Sequence, residues 1–432
     1  MYGKAVRRVL VGTDMYTNLP MKRDNPIICL NGKAVNQADS SIDLSKEVLS
    51  QGIGMIGETG SGKTYCIKKM VHDLRNNKDL NYSMVVVQAK NDFDNCLRPG
   101  DLRLEQGINS SNSVKWNFFR DILKDGYDDN MLELNAREFA SHLFSEKKSQ
   151  KEQFFIDGAR ELLYCIIISY IRNGKTSLHA RKKLTNKGLR DFFLQYTPES
   201  YKDLMKSCEE PGVLKMILGD QADNLQALGV YGELVTTVLN TLIDVFSEEG
   251  DFSIREFIYE KAGRTLFINY DPAYKESQIK MFSSIIKLAL KEALAQKTSK
   301  GNVILVCDEL PAMGKTDIAE AVNLGRAKGL IAIIGIQSIS QLYSIYGEYE
   351  ARSMLSGLCT KFYFRPNDSL TRQYMIDDFG KILAEYMVLS PGGTCVERRE
   401  SMALEDDDVI QMKTGDCYVK YAKGEMFRFH IG

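Results

Sequence analysis

The residues with the most chemistry to offer are Gly57 to Thr64, which run G-E-T-G-S-G-K-T. The order satisfies G-x-x-x-x-G-K-[S/T]; an apolar stretch precedes it and a helical pattern, Y-C-I-K-K-M-V-H-D-L, follows it. In that setting Gly57, Gly60 and Gly62 let backbone N–H groups turn inward and approach an anion closely. The helix that begins where the loop ends adds the positive end of its dipole. Lys63 is placed to reach the β- and γ-phosphates of a nucleoside triphosphate, and Thr64 to give its hydroxyl oxygen to Mg²⁺. Glu58, Thr59, Ser61 and Tyr65 complete the expected nucleotide-binding set, with ATP and Mg²⁺ as the cofactors.

A phosphate loop alone leaves the attacking water unassigned. Asp308 and Glu309 close the apolar run V-I-L-V-C, so one carboxylate can hold the metal while the other orients and deprotonates water. A fixed carboxylate base suits an ATPase whose nucleophile is water better than a kinase or a GTPase switch. Gln337 closes a second buried run, I-A-I-I-G-I. Its side chain either senses the γ-phosphate or the water, or simply caps the strand. Lys63, Glu309 and Gln337 are thus candidate catalytic groups, and Thr64 and Asp308 candidate metal ligands.

The elements that must hold these residues are runs of branched residues at 52–56, 84–89, 265–270, 302–309, 331–337 and 361–365. They read as strands buried on both faces. Helical patterns lie between most of them, which predicts an α/β fold with a mostly parallel sheet covered on both sides. From about 127 to 245 the pattern is helical, and 175–235 reads as an all-helical insertion. G-D-C-Y-V-K-Y and M-F-R-F-H-I read as a closing hairpin, and Glu405 to Asp408 as a solvated helix start.

With 432 residues, 44% hydrophobic and 26% charged, the chain has room for two or three globular domains. Nine cysteines without a C-x-x-C pair and four scattered histidines argue for a reducing, cytoplasmic compartment and against a zinc or histidine metal site. The longest apolar run, Leu162 to Ile171, is about half the ~20 residues of a membrane span and reads as a buried helix. A net charge of −1 excludes no nucleic-acid partner, because a local patch can still be basic. One such run is Arg172, Lys175, Arg181, Lys182, Lys183, Lys187 and Arg190, which is either a phosphate-contacting surface or a solvated loop.

The succession of phosphate loop, V-C-D-E-L-P-A-M-G-K, G-R-A-K-G-L-I-A-I-I-G-I-Q and K-F-Y-F-R-P-N-D resembles the type IV secretion coupling proteins, TraD/TraG type. These belong to the HerA/FtsK group of DNA-pumping ATPases. The Trp116–Asn117 pair and the closing hairpin extend the likeness over residues 50 to 432. The resemblance implies a RecA-like core at 51–174 and 236–432, an N-terminal segment, 1–50, packed on it, and the helical domain at 175–235. It implies a homo-hexamer with ATP between subunits, in which Arg326 of a neighbour reaches the γ-phosphate; Arg352 and Arg365 are its rivals. The implied partners are DNA, bound without sequence preference, and relaxase or secretion-channel proteins, any attachment at the inner face of the membrane coming through them. Two departures stand out: there is no membrane helix, and Q-A-K-N-D (88–92) replaces the family's frequent D-P-K-G-E. A HerA/FtsK-like translocase in DNA processing or packaging, and a nucleotide-dependent cargo adaptor, are the alternatives.

Overall fold

The computed structural model describes residues 7–89, 91–144, 150–195, 225–270, 275–295, 301–390 and 393–432. The strands are β1 (Arg7–Val11), β2 (Ile28–Ala34), β3 (Asp39–Leu44), β4 (Ile53–Ile56), β5 (Tyr82–Gln88), β6 (Leu102–Glu105), β7 (Arg264–Asn269), β8 (Asn302–Cys307), β9 (Leu330–Ile336), β10 (Thr360–Tyr363), β11 (Lys381–Ser390), β12 (Gly393–Met402), β13 (Asp416–Lys420) and β14 (Met426–Ile431). The chain divides into two compact units: Met1–Pro99, Lys261–Thr265 and Ala293–Gly432 form one, Gly100–Glu260 and Leu266–Glu292 the other.

In the first unit the strand order is β3-β2-β14-β13-β10-β4-β9-β8-β5. β10, β4, β9, β8 and β5 run parallel to one another. Every residue of these five strands is buried, as expected for a sheet covered on both faces. The closing hairpin β13–β14 continues the sheet antiparallel, and β2 and β3 extend it further through β14. A separate antiparallel sheet, β1-β11-β12, was not anticipated from the sequence. Glu405 caps the short helix Asp406–Ile410 with a reciprocal capping box, so the acidic run there is a helix start.

The second unit is chiefly helical, with one parallel pair, β6–β7. Its helix Gln150–Thr176 packs against both Asp129–Leu143 and Leu225–Thr241. The apolar run inside that helix is buried, with Leu163, Ile166, Ile167 and Ile171 fully enclosed. Helices before residue 175 therefore close a core with those after 224, and the unit begins at Gly100 rather than near 175. Of the expected insertion, residues 196–224 lie outside the described residues.

Trp116, Phe118, Phe139 and Phe246 form an aromatic cluster in this core. The buried Asp121 carboxylate accepts hydrogen bonds from Trp116 Nε1, Ser253 Oγ and the Arg255 backbone N–H. Burial pushes its carboxyl up to about 6 even so. Asp121→Ala strands three buried donors at once. The expected cost is about 3 kcal/mol, read as a lower urea midpoint at unchanged slope. An unmoved midpoint would contradict this network.

Candidate active site

The parallel ladders pair Ile56 with Ile336, Ile334 with Cys307, and Cys307 with Val87, so β4, β9, β8 and β5 finish side by side. Open parallel sheets collect ligands in the crevice outside such ends. Gly335 lets the ends draw close, since a β-carbon there would meet the Asp308 carbonyl oxygen at 2.0 Å. β9 lies between the loop-bearing strand and the acid-bearing strand, which sets Gln337 between the two.

The phosphate loop rises from β4 and ends at Gly62, whose φ of 116° a side-chain-bearing residue rarely adopts, before the helix Lys63–Asn76. Gly57 N–H donates to Ile336 O at 3.1 Å and Glu58 N–H to Arg365 O at 2.8 Å, which tie the loop to both neighbouring strands. From the far side of the chain, Gly415 N–H donates to Ser61 O at 2.9 Å. The buried Lys63 ammonium lies inside the loop, donating to Glu58 O at 2.8 Å and also to Gly57 O. Desolvation lowers its pKa against the raising influence of Glu309, Asp308 and Glu58.

Thr64 Oγ1 donates to the Asp308 carboxylate, at 2.9 and 3.1 Å from its two oxygens, across 244 residues of sequence. The two halves of the expected site therefore share one cleft. Burial raises the pKa of Asp308 and pushes that of Glu309 up to about 7; the Lys63 charge and the nearby polar groups of Gln337 oppose the Glu309 shift. Glu309 Oε1 is buried and has no hydrogen-bond partner among the described residues. A buried acceptor of that kind is suited to take a hydrogen bond from an entering water.

These groups line one cavity of 360 Å³, together with Thr59, Gly60, Gly62, Tyr65, Ala89, Asp92 and Thr414. A threonine hydroxyl and a carboxylate are hard oxygen donors, the kind Mg²⁺ takes alongside phosphate oxygens and water. Among the described residues no group of three His, Cys, Asp or Glu side chains could hold a metal ion by itself. A cation here would need the nucleotide as a co-ligand.

The structure brings together Lys63, Thr64, Asp308, Glu309 and Gln337, and it does not bring Arg326 to them. Arg326 follows the helix Ile318–Gly325 and precedes β9, exposed at the end where the parallel strands begin. Its charge acts on Glu47, which itself precedes β4. Arg352 pairs with Glu348 at 2.7 Å. Arg365, just past β10, is ion-paired with Glu58 of the loop in the same chain. Sequence reasoning missed Asp92 and Thr414. Asp92 stands just past a buried strand, as Asp308 and Gln337 do, and that position was the available signal. Thr414 carried none.

In the basic run, Arg172, Lys175 and Lys187 are ion-paired with Glu133, Asp129 and Asp191 at 3.7, 3.1 and 2.7 Å, while Lys182 and Lys183 are exposed. Among the described residues no helix is long and apolar enough to cross a membrane.

Residues 37–412 match the family model for the type IV secretion-system coupling protein DNA-binding domain. A stretch of 136 residues is 28% identical to coupling protein TraD of Escherichia coli K12, covering 30% of this chain and 19% of TraD. The chain thus matches less than a fifth of that relative's length. Among solved structures, the bacterial conjugative coupling protein TrwBΔN70 superposes with a TM-score of 0.71 at 18% identity, over 90% of this chain and 87% of that one. Plasmid coupling protein TrwB in complex with ADP and Mg²⁺ gives 0.72 at 16% identity, over 99% and 94%. VirB4 of Thermoanaerobacter pseudethanolicus gives 0.57 at 12% identity, over 96% and 98%. At these identities the likenesses show the fold: a mostly parallel α/β core with a helical unit.

Proposed function

Because the chain belongs to the type IV secretion-system coupling protein DNA-binding domain family, we propose that it is an ATP-hydrolysing motor that binds DNA or a DNA–protein complex and drives its transfer. The observation that carries the reading is the Thr64–Asp308 contact, with the unpartnered Glu309 oxygen beside it. ATP enters with its β- and γ-phosphates toward Lys63, whose donors exchange two loop carbonyls for phosphate oxygens. Thr64 and Asp308 are the residues that would hold Mg²⁺, which would supply charge neutralisation at the triphosphate oxygens. Glu309 orients the attacking water and accepts its proton, and Gln337, which lines the same cavity, senses the γ-phosphate or that water.

TrwB has been solved with ADP and Mg²⁺ and with a non-hydrolysable ATP analogue, which supports this choice of cofactors. In this reading the chain works at the cytoplasmic face as a homo-hexamer, with relaxase or secretion-channel proteins as partners. Lys182 and Lys183 offer backbone-phosphate contacts without base readout.

The test is ATP turnover with and without DNA over a range of protein and salt concentrations. DNA is expected to raise turnover, with a stimulation that falls steeply with salt because phosphate contacts release counterions. Turnover indifferent to DNA at every protein concentration would instead favour a nucleotide-dependent adaptor for protein cargo.

A further inference from the structure

Asp92 has no place in the scheme above, yet it lines the same cavity as Thr64, Asp308 and Glu309. The fold holds it there. β5 pairs with β8, and Asp308 N–H donates to Val87 O at 3.1 Å, so the residues leaving β5 emerge beside the acid pair. Phe93, fully buried, anchors the next position, and its N–H donates to Gln88 Oε1 at 2.8 Å. Among the described residues no hydrogen bond or ion pair engages the Asp92 carboxylate. Its charge nevertheless acts on Asp308.

Three carboxylates, those of Asp92, Asp308 and Glu309, therefore share the cavity with one buried ammonium, that of Lys63. A triphosphate adds more negative charge, so a divalent cation gains from all of them. The three acids are not grouped closely enough to hold a metal ion by themselves. Mg²⁺ keeps several of its waters, and each needs an acceptor. Resting on the nucleotide-site reading, we propose that Asp92 is a positioning residue of the metal site, accepting a hydrogen bond from water on the Mg²⁺ that Thr64 and Asp308 ligate. Its charge also makes the site selective for metal-bound over metal-free nucleotide.

The experiment compares the full chain with Asp92→Asn and Asp92→Glu. ADP affinity is measured in EDTA with a fluorescent analogue, and Mn²⁺ is then titrated into each protein–ADP complex, with free Mn²⁺ read by electron paramagnetic resonance. Loss of an outer-shell partner typically costs about 10–100-fold in metal affinity, and that shift in the Mn²⁺ midpoint is expected for Asp92→Asn. Its ADP affinity in EDTA should be equal or higher, since a negative charge has gone. Asp92→Glu should recover part of the midpoint, and thermal unfolding should match the parent in both variants. If the parent binds no ADP with or without metal, the nucleotide-site reading fails and takes the proposal with it. If the parent binds ADP and Asp92→Asn keeps the parent's Mn²⁺ midpoint, only the role of Asp92 is overturned.

Discussion

Glu309→Gln is expected to lower ATP turnover by about 10²–10⁴-fold, the usual contribution of a positioned general base, while ATP still binds. Glutamine keeps the shape of the side chain and one of its oxygens, but it cannot take a proton from water. The lost capacity is that of a single buried oxygen, Oε1, which no described residue occupies. Lys63, Thr64 and Asp308 are untouched, so the phosphate and metal contacts survive. Single-turnover hydrolysis of labelled ATP, run beside equilibrium binding of the same nucleotide, separates the two effects. The expected variant holds ATP uncleaved. A Glu309→Gln protein that hydrolyses ATP at the normal rate would show that another group activates the water.

The parts of this site legible in the sequence were those written in local chemistry. A glycine-lysine-threonine loop between strand and helix carries its own backbone requirements, and the strands β4, β5, β8, β9 and β10 announce themselves because burial on both faces leaves unbroken apolar runs. The β11–β12 hairpin has no such signal. Residues 394–400 on β12 are all exposed, so no alternation marks a buried face. Strand order was equally hidden. That β9 separates β4 from β8 is a long-range fact, and only with it does Gln337 come to line the same cavity as Glu309. Asp92 became visible in the same way, once β5 was seen to lie beside β8. The extent of the helical unit depended on which helices share a core. The helix Gln150–Thr176 settles that by packing on one neighbour before it in the chain and one after.

Arg326→Ala is expected to leave ATP binding by the isolated chain unchanged and to cut turnover of the assembled protein by about 10³–10⁵-fold, the range for an arginine that stabilises a transferring phosphoryl group. The geometry permits this role only between subunits. Arg326 precedes β9 and the site follows it, and the seven residues of that strand span roughly 20 Å at about 3.3 Å each, far beyond the reach of one side chain. In a head-to-tail ring the strand-start edge of one subunit can face the loop of the next. Mixing separates the cases. Arg326→Ala subunits retain an intact loop, and Lys63→Ala subunits retain an intact arginine, so each protein is inactive alone and the mixture should recover turnover. Arg365→Ala is the matching control, because its partner Glu58 is in the same chain and any defect it causes should persist on mixing. An Arg326→Ala protein that turns over ATP normally when assembled would remove this arginine from the mechanism. An inactive one that mixing never rescues would place its effect within a single subunit, where the strand length leaves it no direct route to the phosphate.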